Sequence, residues 1–179
     1  FYRYYLSSKL NTDISDINFS VDDFVQKINS DLIGKYINIA SRTQNFLIKH
    51  NNSEVKQNCQ NETNKYKDLY AEIVSQTNDR EYSKALKNIM SIADEANSYI
   101  SSMEPWSKAK DGDIDSCVEI CSEALNLFKD LTILLSPYIP NITGDLFKLL
   151  NLKQTGYDQI SKDCLKEVKP FKAIITRLE

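Results

Sequence analysis

Apolar residues recur every three or four positions along most of the chain, which is the period of an amphipathic helix. The first long stretch contains Val21, Phe24, Val25, Ile28, Leu32, Tyr36, Ile39 and Phe46. Ser20 precedes it as a candidate N-cap, and Asp22 and Asp23 place negative charge in the first turn, where the helix dipole favours it. This pattern predicts a helix over about residues 21–49.

Four further stretches repeat the same spacing. They predict helices over residues 55–74, 82–100 and 114–135, and a short helix that Asn141 caps and that runs to Leu150. The segment from Ser136 to Pro140 ends the fourth helix, because proline cannot continue it. These segments share no residue pattern at a fixed period, so a bundle is favoured over a solenoid.

The chain thus divides into three parts. We predict a junction helix within residues 1–17, an all-α bundle of about five helices over 18–150, and a C-terminal tail over 151–179. The composition agrees, because four glycines and four prolines in 179 residues are too few for a turn-rich β protein. No apolar run approaches the 18 residues or so of a membrane span, so no membrane partner is expected. The net charge of −3 argues against sequence-independent coating of nucleic acid, so any RNA contact must be local.

No group of residues has the pattern of a catalytic or metal site. The four cysteines contain no Cys-x-x-Cys pair, and His50 is the only histidine, so reduced thiols in a cytosolic protein are expected. No Gly-rich phosphate loop is present either. We therefore expect no catalytic residue, no metal ligand and no cofactor in this chain.

Asn38 and Arg42 form the first candidate site. They are four residues apart, so they share one stripe of the first long helix, and Asn45 lies one turn further along. Amide and guanidinium groups in such a row can hydrogen-bond to the edge of an unstacked base. Polar residues border every amphipathic helix, however, so the spacing alone does not establish a site.

Pro105 and Trp106 form the second candidate site. Trp106 is the only tryptophan, and Lys108 and Lys110 follow it closely. Such a tryptophan either covers the core or offers a stacking platform to a base, with the lysines contacting phosphates. Composition leaves both interpretations open.

Several stretches, in order along the chain, carry a resemblance to a known family. They are Arg3-Tyr4-Tyr5-Leu6, residues 22–32 with Asn38-Ile39-Ala40-Ser41-Arg42, residues 82–86, Ala93-Asp94 with Ala96-Asn97, Pro105-Trp106 with Ala109-Lys110, residues 125–128, and Lys169-Pro170-Phe171-Lys172. Together they resemble the anticodon-binding domain of methionyl-tRNA synthetases, the class I ligases that join methionine to its tRNA through an adenylate made from ATP.

The resemblance implies recognition of the CAU anticodon loop of the methionine tRNA. The first anticodon base would stack on Trp106 beside Pro105, Asn38 and Arg42 would supply its hydrogen bonds, and Lys108 and Lys110 are candidate phosphate contacts. The family's Rossmann-type catalytic domain, with ATP and often zinc, would precede Phe1. The tail would dock back toward that domain, and the protein would be cytoplasmic.

The sequence also departs from the family pattern. Ile39 stands where the family usually has leucine, and residues 51–80 diverge from the family pattern. Residues 43–46 also differ from the family pattern, so the family does not support a role for Asn45. One alternative is the anticodon domain of another class I synthetase, against which Pro105-Trp106 with Asn38 and Arg42 argues. Another is a helical protein-interaction bundle, which would need neither an exposed Trp106 nor a neighbouring Arg42. We therefore predict that Trp106 is partly exposed and within reach of Asn38 and Arg42.

Overall fold

The long first helix is present as predicted, although its middle is wound differently. The computed structural model describes residues 1–10, 12, 16–57, 61–152, 155–170 and 175–179. In it, α2 (Val21–Lys27) continues through a π-helical segment (Ile28–Ile37) into α3 (Asn38–His50). Ser20 caps α2 by accepting a hydrogen bond from the backbone N–H of Asp23 at 3.3 Å.

The remaining helices confirm the all-α prediction, and no β-strand occurs among the described residues. They are α1 (Tyr2–Lys9), α4 (Asn61–Asn64), α5 (Lys67–Asn78), α6 (Tyr82–Met103), α7 (Pro105–Lys110), α8 (Ile114–Leu135), α9 (Pro140–Leu149) and a 3₁₀ turn (Tyr157–Gln159). The helix predicted from residue 55 is wrong at its start. Val55 follows an isolated β-bridge between Glu54 and Glu167, and Cys59 lies outside the described residues.

The start of α9 also differs from the prediction. Ile139 is the N-cap, Pro140 occupies the first turn, and Asn141 is already inside the helix, so the prediction that Asn141 caps it is wrong. Proline at this position does not destabilise the helix, because an N–H group there would have no partner within the helix.

The central helix α8 is surrounded by the rest of the chain. All of its residues from Ile120 to Leu135 are buried, including polar ones. The carboxylate of Glu123 accepts hydrogen bonds from the backbone N–H groups of Asn61 and Glu62 at 3.0 and 3.1 Å, and the side chain of Asn126 accepts one from Leu165 at 2.8 Å. The buried polar side chains therefore hold neighbouring loops against α8, as buried polar groups require partners.

The N-terminal helix α1 is fixed to the bundle by polar contacts. The hydroxyl of Tyr4 donates to Asp31 at 2.7 Å, that of Tyr5 donates to Asp23 at 2.8 Å, and the ammonium of Lys9 lies 2.8 Å from Asp23. A helix is therefore present within residues 1–17, of which 11 and 13–15 lie outside the described residues, and its role as a junction to a catalytic domain stays a prediction.

The described part of the C-terminal tail packs on the bundle. Leu165, Val168 and Ile175 are buried, and the side-chain amide of Asn29 exchanges two hydrogen bonds of 2.9 Å with the backbone of Leu178. Residues 171–174, which include part of a stretch that carries the family resemblance, lie outside the described residues. Docking of the tail toward a catalytic domain stays a prediction.

Two properties of the described residues bear on function. None of the helices formed by them is long and apolar enough to cross a membrane. They also contain no group of three or more His, Cys, Asp or Glu side chains arranged to hold a metal ion.

Cys117 and Cys121 are buried, and burial raises the pKa of the Cys121 thiol, which keeps it protonated at neutral pH.

Asp130 should give the fold a pH dependence. Burial raises the pKa of its carboxyl group, while the ammonium of Lys129 acts in the opposite direction. The unfolded chain releases this proton at the ordinary aspartate pKa of about 4, whereas the folded chain retains it to higher pH. The resulting stabilisation is complete below that pKa and is lost as the pH rises through the raised value. We expect the free energy of unfolding of the wild type, relative to Asp130→Asn, to decrease as the pH rises from about 4. Urea unfolding at a series of pH values measures it, and parallel pH profiles of the two proteins would contradict it.

Candidate nucleic-acid interface

Asn97 of α6 organises the polar stripe of α3. Asn38 and Arg42 lie on successive turns of α3 and are half-buried. The amide nitrogen of Asn38 donates to Oδ1 of Asn97 at 2.8 Å, and Nη1 of Arg42 donates to the backbone carbonyl of Asn97 at 3.4 Å. Asn97 in turn donates to the carbonyls of Lys35 and Ala93 at 2.9 and 2.8 Å. Its orientation is therefore fixed from both helices.

The turn between α6 and α7 brings Trp106 to the same place. α6 ends at Met103, and Glu104 adopts the left-handed conformation with φ 45°, which redirects the chain. Pro105 then starts α7 as its first residue. Trp106 thus belongs to a new short helix and not to the end of α6. Pro105 is buried at the start of α7, where proline is favoured, and its contact with RNA stays a prediction.

Trp106 and Arg42 are stacked. The guanidinium carbon of Arg42 lies 5.1 Å from the centre of the indole ring, a cation–π contact, and Nη2 of Arg42 donates to Oγ of Ser101 at 3.1 Å. Trp106 is 39% exposed. The prediction of a partly exposed Trp106 near this stripe is confirmed, since Trp106 contacts Arg42 directly and Asn38 is linked to Arg42 through Asn97.

This arrangement combines an aromatic surface with hydrogen-bond donors. The guanidinium group has five N–H donors, and the two described hydrogen bonds of Arg42 use two of them. Arg42 lies over the indole ring, and Trp106 is exposed enough for part of that ring to be accessible to a ligand. A planar ligand with acceptors on its edge would match both groups.

The lysines that follow Trp106 are differently placed. Lys110 is exposed, and Lys108 lies 3.7 Å from the carboxylate of Asp113, the N-cap of α8. Hydrogen bonds from Ser116, and then Lys108, hold the pKa of Asp113 below its usual value, so this carboxylate is charged at neutral pH. Exposed pairs of this kind contribute less than about 1 kcal/mol, so Lys108 can turn to a phosphate at small cost. Phosphate contact by either lysine stays a prediction.

Asn97 and Ser101 were not among the predicted site residues, although both contact the stripe. They are four residues apart on α6, so they face the same direction, just as Asn38 and Arg42 do on α3. That matching spacing was visible in the sequence. Which two helices face one another was not.

Two family models match the chain. Residues 51–176 match the anticodon binding domain of methionyl tRNA ligase, and residues 1–44 match the class I tRNA synthetases of the methionine type. The first match includes the region 51–80, where the sequence diverges from the family pattern.

Individual proteins agree with these matches. The methionine–tRNA ligases of Psychrobacter cryohalolentis and Thiobacillus denitrificans are each 36% identical over 99% of this chain. The chain spans about a quarter of their length, 26% in both cases. The crystal structure of apo Mycobacterium tuberculosis methionyl-tRNA synthetase has the same fold, with a TM-score of 0.85 at 19% identity over 99% of this chain and 38% of that protein. The family model that covers most of the chain decides its membership: the chain belongs to the anticodon-binding domain family of methionyl tRNA ligase.

Proposed function

We propose that this chain recognises the CAU anticodon loop of the methionine tRNA. The first anticodon base stacks on Trp106, and Asn38 and Arg42 hydrogen-bond to its edge. The observation that carries the proposal is the Arg42 guanidinium stacked 5.1 Å from a half-exposed tryptophan, with Asn38 held beside it by Asn97. Stacking on aromatic rings and hydrogen bonds to an unstacked base are how proteins read single-stranded RNA loops.

The donors of this site favour cytosine over uracil. Cytosine presents two acceptors, its ring nitrogen and its carbonyl, and the guanidinium of Arg42 and the amide of Asn38 can donate to them. Uracil places an N–H donor where cytosine has its ring acceptor. Two donors facing one another leave both without a partner, so uracil is rejected.

The proposal extends to the whole protein of which such a domain is part. In it, a class I catalytic domain uses ATP to form methionyl-adenylate and transfers methionine to the tRNA that this domain holds. ATP, and zinc where the family carries it, would be bound there, and this chain would contact that domain in cis in the cytoplasm. Membership of the methionine family argues against the anticodon domain of another synthetase, and the half-exposed Trp106 beside Arg42 argues against a purely protein-binding bundle.

Removal of the aromatic surface should weaken binding of every loop. We expect Trp106→Ala to reduce affinity for an anticodon stem-loop by about 1–3 kcal/mol, because every base has a face that stacks. The loss should be similar for stem-loops that carry CAU and UAU, so the preference for cytosine should persist. Fluorescence anisotropy with labelled stem-loops at one fixed salt concentration measures both affinities, since phosphate contacts make affinity depend on salt. A wild-type affinity in Trp106→Ala would contradict the stacking role.

Removal of the donors should instead erode specificity. We expect Arg42→Ala and Asn38→Ala to weaken the CAU stem-loop more than the UAU stem-loop, because the donors that reject uracil are gone. Arg80→Ala is a matched control. This exposed arginine lies just before the start of α6, whereas Asn97 and Ser101, which contact Asn38 and Arg42, lie near the other end of this helix of about 33 Å. Equal losses for both stem-loops in Arg42→Ala and Asn38→Ala would show that these residues contact the backbone or support the fold, and do not read the base.

A further inference from the structure

A cleft of about 640 Å³ lies between α5 and the C-terminal tail. Sites that bind small organic molecules usually have volumes of about 300–1,000 Å³. The residues of the candidate nucleic-acid interface are not among the described residues that line this cleft. It is therefore a separate surface, which we call the α5–tail cleft, and its lining indicates the chemistry of a ligand.

The wall formed by α5 is a single stripe of that helix. Lys67, Tyr70, Ala71 and Val74 line the cleft, and their spacing of three and four residues places them on one face. Lys67 and Ala71 are exposed, Val74 is half-buried and Tyr70 is buried. This wall therefore offers an ammonium group at the first turn of α5, an apolar surface beyond it and a buried phenol.

The opposite wall is the tail segment over residues 157–162. The half-buried side chains of Tyr157 and Ile160 line it, and the exposed Lys162 adds a second ammonium group. Ser161 fixes this wall to α8, because its backbone N–H and its hydroxyl group both donate to the carboxylate of Asp130, at 3.1 and 3.3 Å. The cleft is thus preformed, and a ligand would not have to order the tail on binding.

The hydroxyl group of Tyr70 sets this cleft apart. Tyr70 is 3% exposed, and its hydroxyl group has no hydrogen-bond partner among the described residues. The other buried tyrosines of that part of the chain each use the hydroxyl group in a hydrogen bond: Tyr4, Tyr5, Tyr36, Tyr66 and Tyr138. A buried hydroxyl group without a partner destabilises a fold, and a bound molecule with an acceptor would remove that cost.

Three kinds of group in the lining define the ligand. A phenol at the buried end donates to an acceptor, and a hydrogen bond there is shielded from water, which strengthens it. The walls between the phenol and the solvent are apolar, so they would pack against an apolar body. The two ammonium groups, one from each wall, attract an anion. Lys162 lies 4.0 Å from Asp158, and an exposed pair of this kind is weak enough to yield to a ligand.

We propose that the α5–tail cleft binds a small organic acid that has an apolar body and a second, uncharged acceptor. The acid group contacts Lys67 and Lys162, the body packs between the two walls, and the acceptor receives the hydrogen bond of Tyr70. This site does not depend on the proposed function, because it shares no described residue with the surface that is proposed to bind RNA.

The test uses the full-length protein and dansylglycine as the probe. This molecule combines a naphthalene ring, sulfonyl oxygens that accept hydrogen bonds and a carboxylate, and its emission increases in apolar surroundings. We expect a saturable increase in emission on titration. Ala71→Phe should abolish it, because it places a ring in the cleft from an exposed position of α5. Dansylamide, which lacks the carboxylate, should bind about tenfold more weakly, because it forms no charge-assisted hydrogen bond.

Tyr70→Phe separates a binding role from a structural one. It keeps the ring and removes one hydrogen bond to the probe, so we expect the dissociation constant for dansylglycine to rise about fivefold. In the absence of probe, amide hydrogen exchange of α5 should be slower in this variant, because a buried group without a partner has been removed. Tyr66→Phe is the matched control. Its hydroxyl group donates to Glu95 at 2.8 Å, so exchange should be faster while the probe affinity stays at the wild-type value.

The charges are tested in the same titration. Lys67→Gln together with Lys162→Gln should raise the dissociation constant about tenfold at low salt, because the carboxylate loses both ammonium groups. Lys87→Gln is the control, since it removes an exposed lysine of α6 that does not line the cleft.

Three results would overturn the proposal. They are an unchanged saturable signal in Ala71→Phe, wild-type affinity for dansylglycine in Tyr70→Phe, and the absence of any saturable signal in the wild type. Faster exchange of α5 in Tyr70→Phe would also contradict it, because it would show that the hydroxyl group is already satisfied within the fold. The titration contains no tRNA, so base recognition by Trp106 and Arg42 can fail while this site stands, and the reverse.

Discussion

Replacement of Asp130 by alanine is expected to destabilise the fold by about 3–5 kcal/mol. Asp130 is fully buried, and Lys129 beside it is 3% exposed, with 3.2 Å between ammonium and carboxylate. The carboxylate also accepts hydrogen bonds from the backbone and the hydroxyl of Ser161 at 3.1 and 3.3 Å. Alanine would leave a buried ammonium whose remaining partner among the described residues is the carbonyl of Asp163 at 2.6 Å, and it would remove the acceptor of the Ser161 N–H. An uncompensated buried charge is among the costliest single changes.

Urea unfolding followed by circular dichroism measures this loss. Asp145→Ala is the control, because it removes the same kind of pair at the surface, where Lys148 and Asp145 are 3.0 Å apart and 80% and 67% exposed. Exposed pairs contribute about 0.2–1 kcal/mol, so this variant should stay close to the wild type. Equal effects of the two substitutions would show that Asp130 does not stabilise the buried charge.

Truncation of Phe128 to alanine should cost a similar amount, about 3–5 kcal/mol. The ring is fully buried and stacks on that of Tyr36, with centroids 4.7 Å apart and 25° between the planes. The stack joins α8 to the π-helical segment, two residues before Asn38. Loss of the ring removes apolar burial and leaves a cavity between the two helices. Free energies of unfolding are about 5–15 kcal/mol for ordinary proteins, so Phe128→Ala should remove a large fraction of the stability of the fold.

Two further variants separate the ring from the hydroxyl group of its neighbour. Phe128→Leu retains most of the volume and should cost less than Phe128→Ala. Tyr36→Phe removes only the hydroxyl group, which donates to Oγ1 of Thr132 at 2.6 Å, because Thr132 itself donates to the carbonyl of Phe128. One such hydrogen bond contributes about 1 kcal/mol. If Tyr36→Phe cost as much as Phe128→Ala, the hydroxyl group and not the aromatic stack would join the two helices.

The parts of the fold that could be predicted are those that apolar spacing determines. The spacing from Val21 to Phe46 predicted a long helix and placed Asn38 and Arg42 on one stripe of it, where both lie. It could not predict the π-helical winding of residues 28–37, because the same apolar residues reach the core whether the hydrogen bonds span four residues or five. It also failed at Val55, whose burial against the tail follows from a contact more than 100 residues away, the bridge of Glu54 with Glu167.

The candidate site was predictable in its residues but not in its connections. Trp106 and Arg42 stood out because a lone tryptophan and a helical stripe are visible in the sequence. Their stacking depends on Glu104 in the left-handed conformation, which glutamate rarely adopts and which no local pattern indicates. The role of Asn97 in the site could not be predicted, because the sequence does not distinguish an asparagine that faces another helix from one that faces solvent.

The position of Trp106 has a practical consequence for spectroscopy. It is the only tryptophan among 179 residues, so the indole emission of this chain arises entirely at the proposed base-stacking surface. Binding of an unlabelled stem-loop would replace water on the exposed part of that ring, and a stacked base quenches indole. The wild-type chain therefore carries an intrinsic optical probe that needs no dye. Arg42→Ala, which removes the guanidinium group from its place over the same ring, would change the emission before any RNA is added.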